Sequence, residues 1–529
     1  MPALTDAYAA AHPDAVAVRD GGRLLTWAQL SARVDAWVHV LRGHGLRQGD
    51  RVACIAGNRA ETFELILAAL HAGLTLVPVN WHLTVPEIAY ILTDSRSRGV
   101  VTDADRAQVT AQALRLAGLR CPMRAVMGDG DHAGLTAVEP LLTAAPREAP
   151  QDQTCGSTMM YTSGTTGAPK GVVNGLFTTG APYRRAERMV AYSRRVLGVP
   201  SAERVLLAGP WYHSAQLFFA LLPLLAGSQL VIHRGFDAEA VLRDIDRLQI
   251  NVAHLVPAHF VRLLRLAPDV RGKFRADSLR LVWHGGGACP IAVKQAMIDW
   301  WGPVLVEYYG ATEGGAVTLI SSEEWLRHPG SVGRAVPPNE LLIMDANGAQ
   351  LPAGHTGRVF IRRRGGESFR YHNAPEKTRA AHLGPDTFTY GEVGYVDRDG
   401  YLYLTGRAQD LIISGGVNVY PAEVEAVLQA HPQVRDAAVV GVPDPEYGER
   451  VVAVLELAGP PGPAAAIPEL LPDAARSLDE HCRRSLAGFK VPRAYFTVAS
   501  VPREATGKLR KDLMRDLIDG WLATAKARA

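Results

Sequence analysis

A chain of 529 residues with 47% hydrophobic content carries more apolar material than one ordinary core can hold, so at least two domains are expected. Its 56 Lys plus Arg nearly balance 53 Asp plus Glu, which excludes a broad field for nucleic acid or an anionic membrane. Five widely separated cysteines, with no CxxC pair, argue against a disulfide framework or a zinc site and for a reducing, cytoplasmic setting.

The N-terminal segment lacks a charged start followed by an apolar core, so no leader is expected there. From about residue 50, apolar runs alternate with stretches of helical period: RVACIAG, LTLVPVN, RVLLAGP, QLVIHRG, NVAHLVP, LRLVWHGGG and VLVEYYG. Runs rich in Val, Ile and Leu and closed by Gly, Pro or Asn suit strands buried on both faces, so a layered α/β fold with parallel strands is predicted. The longest apolar run, Leu217 to Gly227, is too short to span a bilayer and reads as a buried helix. Asp237 is placed to cap a helix over 236–250, and Pro290 suits the first turn of a helix over 289–301. After Gly330 close-set short strands predict a small β subdomain ending near Arg407. Beyond it, Pro421 starts a helix, and DAAVVGVPDPEYGERVVAVLEL reads as two strands around a turn. Residues 459–472, rich in Pro and Ala, read as an exposed loop.

The most informative segment is Met160-Tyr-Thr-Ser-Gly-Thr-Thr-Gly-Ala-Pro-Lys-Gly-Val172. Glycine lets backbone approach a phosphate, hydroxyls and amides donate to its oxygens, and Lys170, one of only eight lysines, adds positive charge. It is not a Walker A loop, which needs Gly-Lys followed by Ser or Thr. No GxSxG elbow is present, which argues against a serine hydrolase. His213, His254, His259 and His284 form no HExxH pair, so a metal reading is rejected.

This segment resembles the phosphate loop of the adenylate-forming (AMP-binding) superfamily, and six further segments resemble that family's series in the same order. They are Pro210-Trp-Tyr-His-Ser214, Gly286-Gly-Ala-Cys-Pro290, Tyr309-Gly-Ala-Thr-Glu313, Gly391 to Asp397, Gly406-Arg-Ala-Gln-Asp410 with Ser414 to Asn418, and Pro502 to Arg510. The resemblance implies a large N-terminal domain of layered α/β sheets with a small β subdomain (1–406), a hinge (407–410) and a small mobile α+β domain (411–529).

The resemblance also implies roles. Thr162, Ser163, Gly164, Thr165, Thr166, Gly167 and Lys170 would hold the phosphates of ATP, and Glu313 with Thr165 or Thr166 would hold Mg²⁺, a hard cation that prefers oxygen ligands. Gly287, Ala288 and Cys289 would border adenine, Tyr309 would stack on it, and Thr312 would meet the α-phosphate. Glu392 stands where the family has Asp gripping the ribose, beside Arg407, and Gln409 departs from the usual hinge residue. Lys508 matches the catalytic lysine, and His213 lines the acyl pocket, which Trp211, Tyr212, Phe218, Phe219, Trp283 and His284 suggest is partly aromatic.

The implied activity is ATP-dependent conversion of a carboxylic acid to acyl-AMP, then acyl transfer to coenzyme A. The alternatives are transfer to an amine as an amide ligase, transfer to a carrier protein, a luciferase-like oxygenase, or nucleotide binding without catalysis. Gly416 would border the acceptor channel.

Overall fold

The apolar runs become the strands of two large sheets. In the computed structural model the described residues are 6–128, 132–162, 169–175, 178–365, 368–407, 410–414, 417–444, 447–458, 472–503, 509–510, 513–514, 517–518 and 520–521; the side chains of 6–7, 407, 418 and 472–474 fall outside this set.

The first sheet is wholly parallel, in the order Thr136–Ala137, Met123–Met127, Gly99–Asp103, Arg51–Ile55, Thr75–Pro78, Ser157–Thr158. The second has nine strands. Its six central strands, from Val16–Asp20 through Gln229–Ile232, Arg204–Leu207, Val252–Leu255 and Leu281–His284 to Leu305–Ala311, are parallel, and antiparallel strands close both edges. Strands such as Val252–Leu255 are buried along their whole length, which is why they read as continuous apolar runs.

Helices cover the sheets. Ala238–Leu248 turns Val241, Leu242 and Ile245 inward, and Asp237 caps it by accepting a hydrogen bond from the Ala240 amide, as its position predicts. The apolar run from Leu217 forms most of the buried helix Ser214–Leu225 and continues past its end to Gly227. Pro290 sits one step earlier than expected: the helix is Ile291–Trp301, and Pro290 occupies its cap with extended ψ.

A clasp joins the two sheets. The buried Asn58 amide donates through Nδ2 to the carbonyls of Gly209 (2.8 Å) and His233 (2.9 Å), and its Oδ1 accepts from the Trp211 amide (2.9 Å). Trp211 donates its indole N–H to the Ala56 carbonyl at 2.7 Å. A buried amide with its valences filled this way fixes the start of the Pro210–Ser214 segment relative to both sheets.

The region from Asn339 to Arg407 forms an antiparallel five-stranded sheet. Residues after 411 build a separate mixed sheet, in which Gly448–Leu457 is the central strand, Val434–Asp444 pairs with it at the edge, and the helix Pro421–Gln429 packs against the latter. All five cysteines are free. Residues 459–471 of the expected exposed loop lie outside the described residues, and Pro472 begins the helix Pro472–Ser485. Among the described residues, no helix is long and apolar enough to cross a membrane.

Candidate active site

A cleft of about 3180 Å³ lies where the nine-stranded sheet, the antiparallel sheet and the C-terminal sheet face one another. It is lined by residues from every segment singled out in the sequence up to Glu392, and by Arg503 and Arg510 from the last segment.

The two ends of the Gly/Ser/Thr segment pair with each other. Strands Met160–Thr162 and Lys170–Val173 pair antiparallel, and Thr162 stands opposite Lys170 in register. Ser163, Gly164, Thr165, Thr166 and Gly167 lie outside the described residues. The Lys170 ammonium lies 5.1 Å from the centroid of the Tyr371 ring. Burial, then the charge of Lys377, lower its pKa, while Glu313 opposes them. Tyr371 in turn donates its hydroxyl to Glu313 Oε1 at 2.9 Å. Lys170, Lys377, Tyr371 and Glu313 therefore form one polar group on the cleft wall.

Thr312 is held from two sides. Asn174 donates to its carbonyl at 2.9 Å, and its hydroxyl lies 2.9 Å from that of Ser214, the last residue of the Pro210 segment. The turn that carries Thr312 and Glu313 requires glycine at 310, because a Cβ there would stand 2.2 Å from the Gly315 carbonyl oxygen. The strand pair shifts register between Tyr309 and Gly310, a bulge that re-aims the chain at the cleft.

Tyr309 and Glu392 come from different sheets and meet: the Tyr309 hydroxyl donates to Glu392 Oε2 at 2.8 Å. Glu392 stands opposite Arg407 across antiparallel strands. Gly286 adopts a left-handed φ of 78°, and a Cβ on Gly287 would meet nothing within 4 Å, so an open ledge from Gly287 to Cys289 lines the same cleft as Tyr309. Burial raises the Cys289 thiol pKa, so it stays protonated.

Below the ledge is a buried ion pair that the sequence reading did not identify. Lys294, fully buried in the helix Ile291–Trp301, places Nζ 2.7 Å from Glu307 Oε2 and 4.8 Å from the centroid of the Trp325 ring. Glu307 lies in the same strand as Tyr309, so the pair ties the helix behind the ledge to the strand that carries the ring.

The aromatic residues divide. Tyr212, His213, Phe218 and Phe219 line the cleft. Trp211 and Trp283 are fully buried and spend their indole N–H groups on the backbone carbonyls of Ala56 and Leu197, and His284 is fully buried as well, so these three are core and not pocket wall. His213 precedes the helix Ser214–Leu225, its ring 4.6 Å from that of Tyr212.

Lys508, Gln409 and Gly416 lie outside the described residues, as does the side chain of Arg407. Earlier in the same segment, Arg503 is fixed by a two-pronged pair with Asp436 (2.6 and 2.8 Å), and Arg503 and Leu509 form an isolated antiparallel bridge. Tyr371, Lys377 and Asn174 were not found from sequence. Tyr371 lies in the two-residue strand Arg370–Tyr371, Lys377 in the six-residue helix Pro375–Ala380 and Asn174 just past the strand Lys170–Val173, elements too short to mark a site, and the scarcity of lysine was the one signal that could have marked Lys377.

The family profile of the AMP-binding enzyme matches residues 5–367, and that of the AMP-binding enzyme C-terminal domain matches residues 423–508. A feruloyl-CoA synthase from Amycolatopsis sp is 33% identical over 515 residues, covering 95% of this chain and 96% of that protein. Among solved structures, an anthranilate CoA ligase, AuaEII, in complex with anthranoyl-AMP superposes with a TM-score of 0.86 at 26% identity, covering 99% and 97%. The amide bond synthetase McbA from Marinactinospora thermotolerans superposes with a TM-score of 0.80 at 28% identity, covering 95% and 96%.

Proposed function

This chain belongs to the AMP-binding enzyme family, and on that premise we propose that it is a ligase that joins a carboxylic acid to AMP and then passes the acyl group to coenzyme A. The observation that carries the reading is the convergence on one cleft of groups far apart in sequence: Ser214 on Thr312, Tyr371 on Glu313, Tyr309 on Glu392.

In the first half-reaction one carboxylate oxygen attacks the α-phosphorus of ATP, the bond to the bridging oxygen breaks, and pyrophosphate leaves. Tyr309 and the ledge from Gly287 to Cys289 take adenine, Glu392 with Arg407 takes the ribose, and Thr312 meets the α-phosphate. Thr162, Lys170 and the loop 163–167 hold the outer phosphates, and Lys377 adds a second positive charge beside them.

The donor set suits a magnesium ion. Glu313 is a partly exposed carboxylate on the cleft wall, Tyr371 engages its Oε1, and hard oxygen donors are what this ion prefers. Glu313, with Thr165 or Thr166, would hold it. Magnesium, when bound, neutralises phosphate charge. Lys508 bridges the two reacting partners and stabilises the charge that gathers between them.

In the second half-reaction the thiol sulfur attacks the acyl carbon, AMP leaves, and the thiol proton is released. The division into 1–406, a hinge at 407–410 and a mobile 411–529 belongs to this proposal: rotation about the hinge withdraws Lys508, and the segment Ser414 to Asn418 with Gly416 borders the incoming thiol. The compartment is the cytoplasm.

Coenzyme A is favoured by the curated relative named above, a CoA synthase matched along nearly the whole chain. Transfer to an amine is the second reading, and the likeness to McbA supports it. Pyrophosphate release over a panel of acids tests the first half-reaction. Mass spectrometry of products formed with coenzyme A or with amines tests the second, and an amide without any thioester would overturn the coenzyme A assignment.

A further inference from the structure

The acyl side of the cleft contains an imidazole whose hydrogen bonding is incomplete. His254, in the strand Val252–Leu255, is 2% exposed and lines the cleft. Phe219 lies flat against it, ring centroids 4.8 Å apart and planes 11° from parallel. His254 Nε2 is 3.0 Å from the Tyr308 hydroxyl, and Nδ1 has no hydrogen-bond partner.

Burial pushes the imidazole pKa down to about 3, so at neutral pH the ring is uncharged and offers one N–H and one lone pair. Burial also raises the Tyr308 phenol, which keeps its proton. If Tyr308 donates to Nε2, Nδ1–H is an unused donor. If Nε2–H donates to Tyr308, Nδ1 is an unused acceptor and the phenol proton is free. Either tautomer leaves at least one polar valence open among apolar neighbours. One turn before Phe219 on the same helix, Gln216 is 3% exposed, lines the same cleft, and leaves its Oε1 without a partner.

Buried polar groups are nearly always satisfied, and each exception asks what completes it. A pocket built only for a hydrocarbon acid would gain by apolar residues at both positions. We infer that His254, with Tyr308 behind it and Gln216 beside Phe219, reads a hydroxyl or keto oxygen on the acyl portion of the substrate, so that the acid activated here is oxygenated. His254 is on this view a specificity-determining residue. The inference rests on the adenylation reading above and names the substrate class of that same site.

The test uses the full-length protein with ATP, Mg²⁺ and matched acid pairs: cyclohexanecarboxylate, benzoate and a medium-chain fatty acid, each against its hydroxy and keto analogues. Pyrophosphate release gives kcat and KM separately. The best oxygenated acid should exceed its unsubstituted partner in kcat/KM by about tenfold to a hundredfold, the range for one buried hydrogen bond made or left unmade. His254→Phe should bring that ratio near one through KM of the oxygenated acid, leaving the unsubstituted partner within a few-fold. Tyr308→Phe keeps the ring and removes the partner that fixes the imidazole, so it should lower the ratio part of the way, and it decides the matter if His254→Phe does not fold. A wild-type protein indifferent to the substituent in every pair overturns the inference and leaves adenylation standing, as does a His254→Phe protein that keeps the full ratio. No pyrophosphate from the wild type with any acid overturns the adenylation reading itself and this inference with it.

Discussion

Removing the charge of Lys294 tests how the floor beneath the ledge is held. Its ammonium lies 2.7 Å from Glu307 Oε2 with both side chains shielded from water. At an effective dielectric of about 20 such a pair attracts by roughly 6 kcal/mol, while taking two ions out of water costs several kcal/mol each. Burial is the larger influence on both groups: it lowers the Lys294 pKa and raises that of Glu307 despite their mutual attraction. The pair is therefore close to break-even as a unit, although breaking it strands a buried charge. Lys294→Met should cost about 3–5 kcal/mol, Glu307→Leu a similar amount, and the double substitution should recover most of the loss. In a domain of this size that is a fall of roughly 10 °C in the apparent Tm for each single variant. Calorimetry, with urea titration followed by tryptophan fluorescence, gives the double-mutant cycle, since Trp325 packs on Lys294. A coupling energy below about 1 kcal/mol, or a double variant as unstable as either single, would refute the reasoning. The KM for ATP should rise in both single variants, because Glu307 and Tyr309 share a strand.

Four further outcomes are expected. Lys508→Ala should slow acyl-AMP formation by roughly a hundredfold to a thousandfold while transfer from preformed acyl-AMP suffers far less, and equal loss in both steps would remove the two-conformation argument. Glu313→Gln should shift the magnesium titration of pyrophosphate release to higher concentration, and an unmoved curve would place the ion elsewhere. Tyr309→Phe keeps the ring and loses the bond to Glu392, so KM for ATP should rise about five- to tenfold with kcat nearly unchanged, as read from initial rates. Burial raises the pKa of Glu61, but the hydrogen bond and charge of Arg59, with the charge of Arg23, outweigh it and hold the carboxyl down to about 2. A depressed carboxyl stabilises the fold fully above its ordinary value of 4.5 and loses that contribution as pH falls toward 2, up to about 3 kcal/mol. The stability gap between wild type and Glu61→Gln should accordingly shrink between pH 6 and pH 3, and a constant gap would contradict the assignment.

The strands were legible because burial on both faces writes an unbroken apolar run, and the segment with Lys170 stood out as a loop because its composition is so unusual, although the pairing of its two ends was not foreseen. The partners of those residues were not. Glu313 is 58 positions from Tyr371, and Tyr309 is 83 from Glu392, so each bond depends on how separate sheets are placed. Trp211 and Tyr212 are neighbours of similar bulk, and only the clasp at Asn58 decides that one faces the core and the other the cleft. Lys294 was visible as one of eight lysines, yet nothing local distinguishes an ammonium headed for the interior from one headed for water. Pro290 misled by one residue because proline suits a cap as well as a first turn.

The Asn58 clasp separates two duties that share five consecutive residues. Trp211 anchors the segment from behind, with the backbone amide and the indole both committed to groups in the first sheet and its connections. Tyr212 and His213 then face the cleft from a backbone already fixed. A change of acid preference can be sought at the forward positions, Tyr212, Phe218 and Phe219, without re-solving the fold, whereas a change at Asn58 or Trp211 would move the whole wall at once. The segment is a hinge pin with an interchangeable front face, and selection, natural or in the laboratory, has most freedom on the side that meets the substrate.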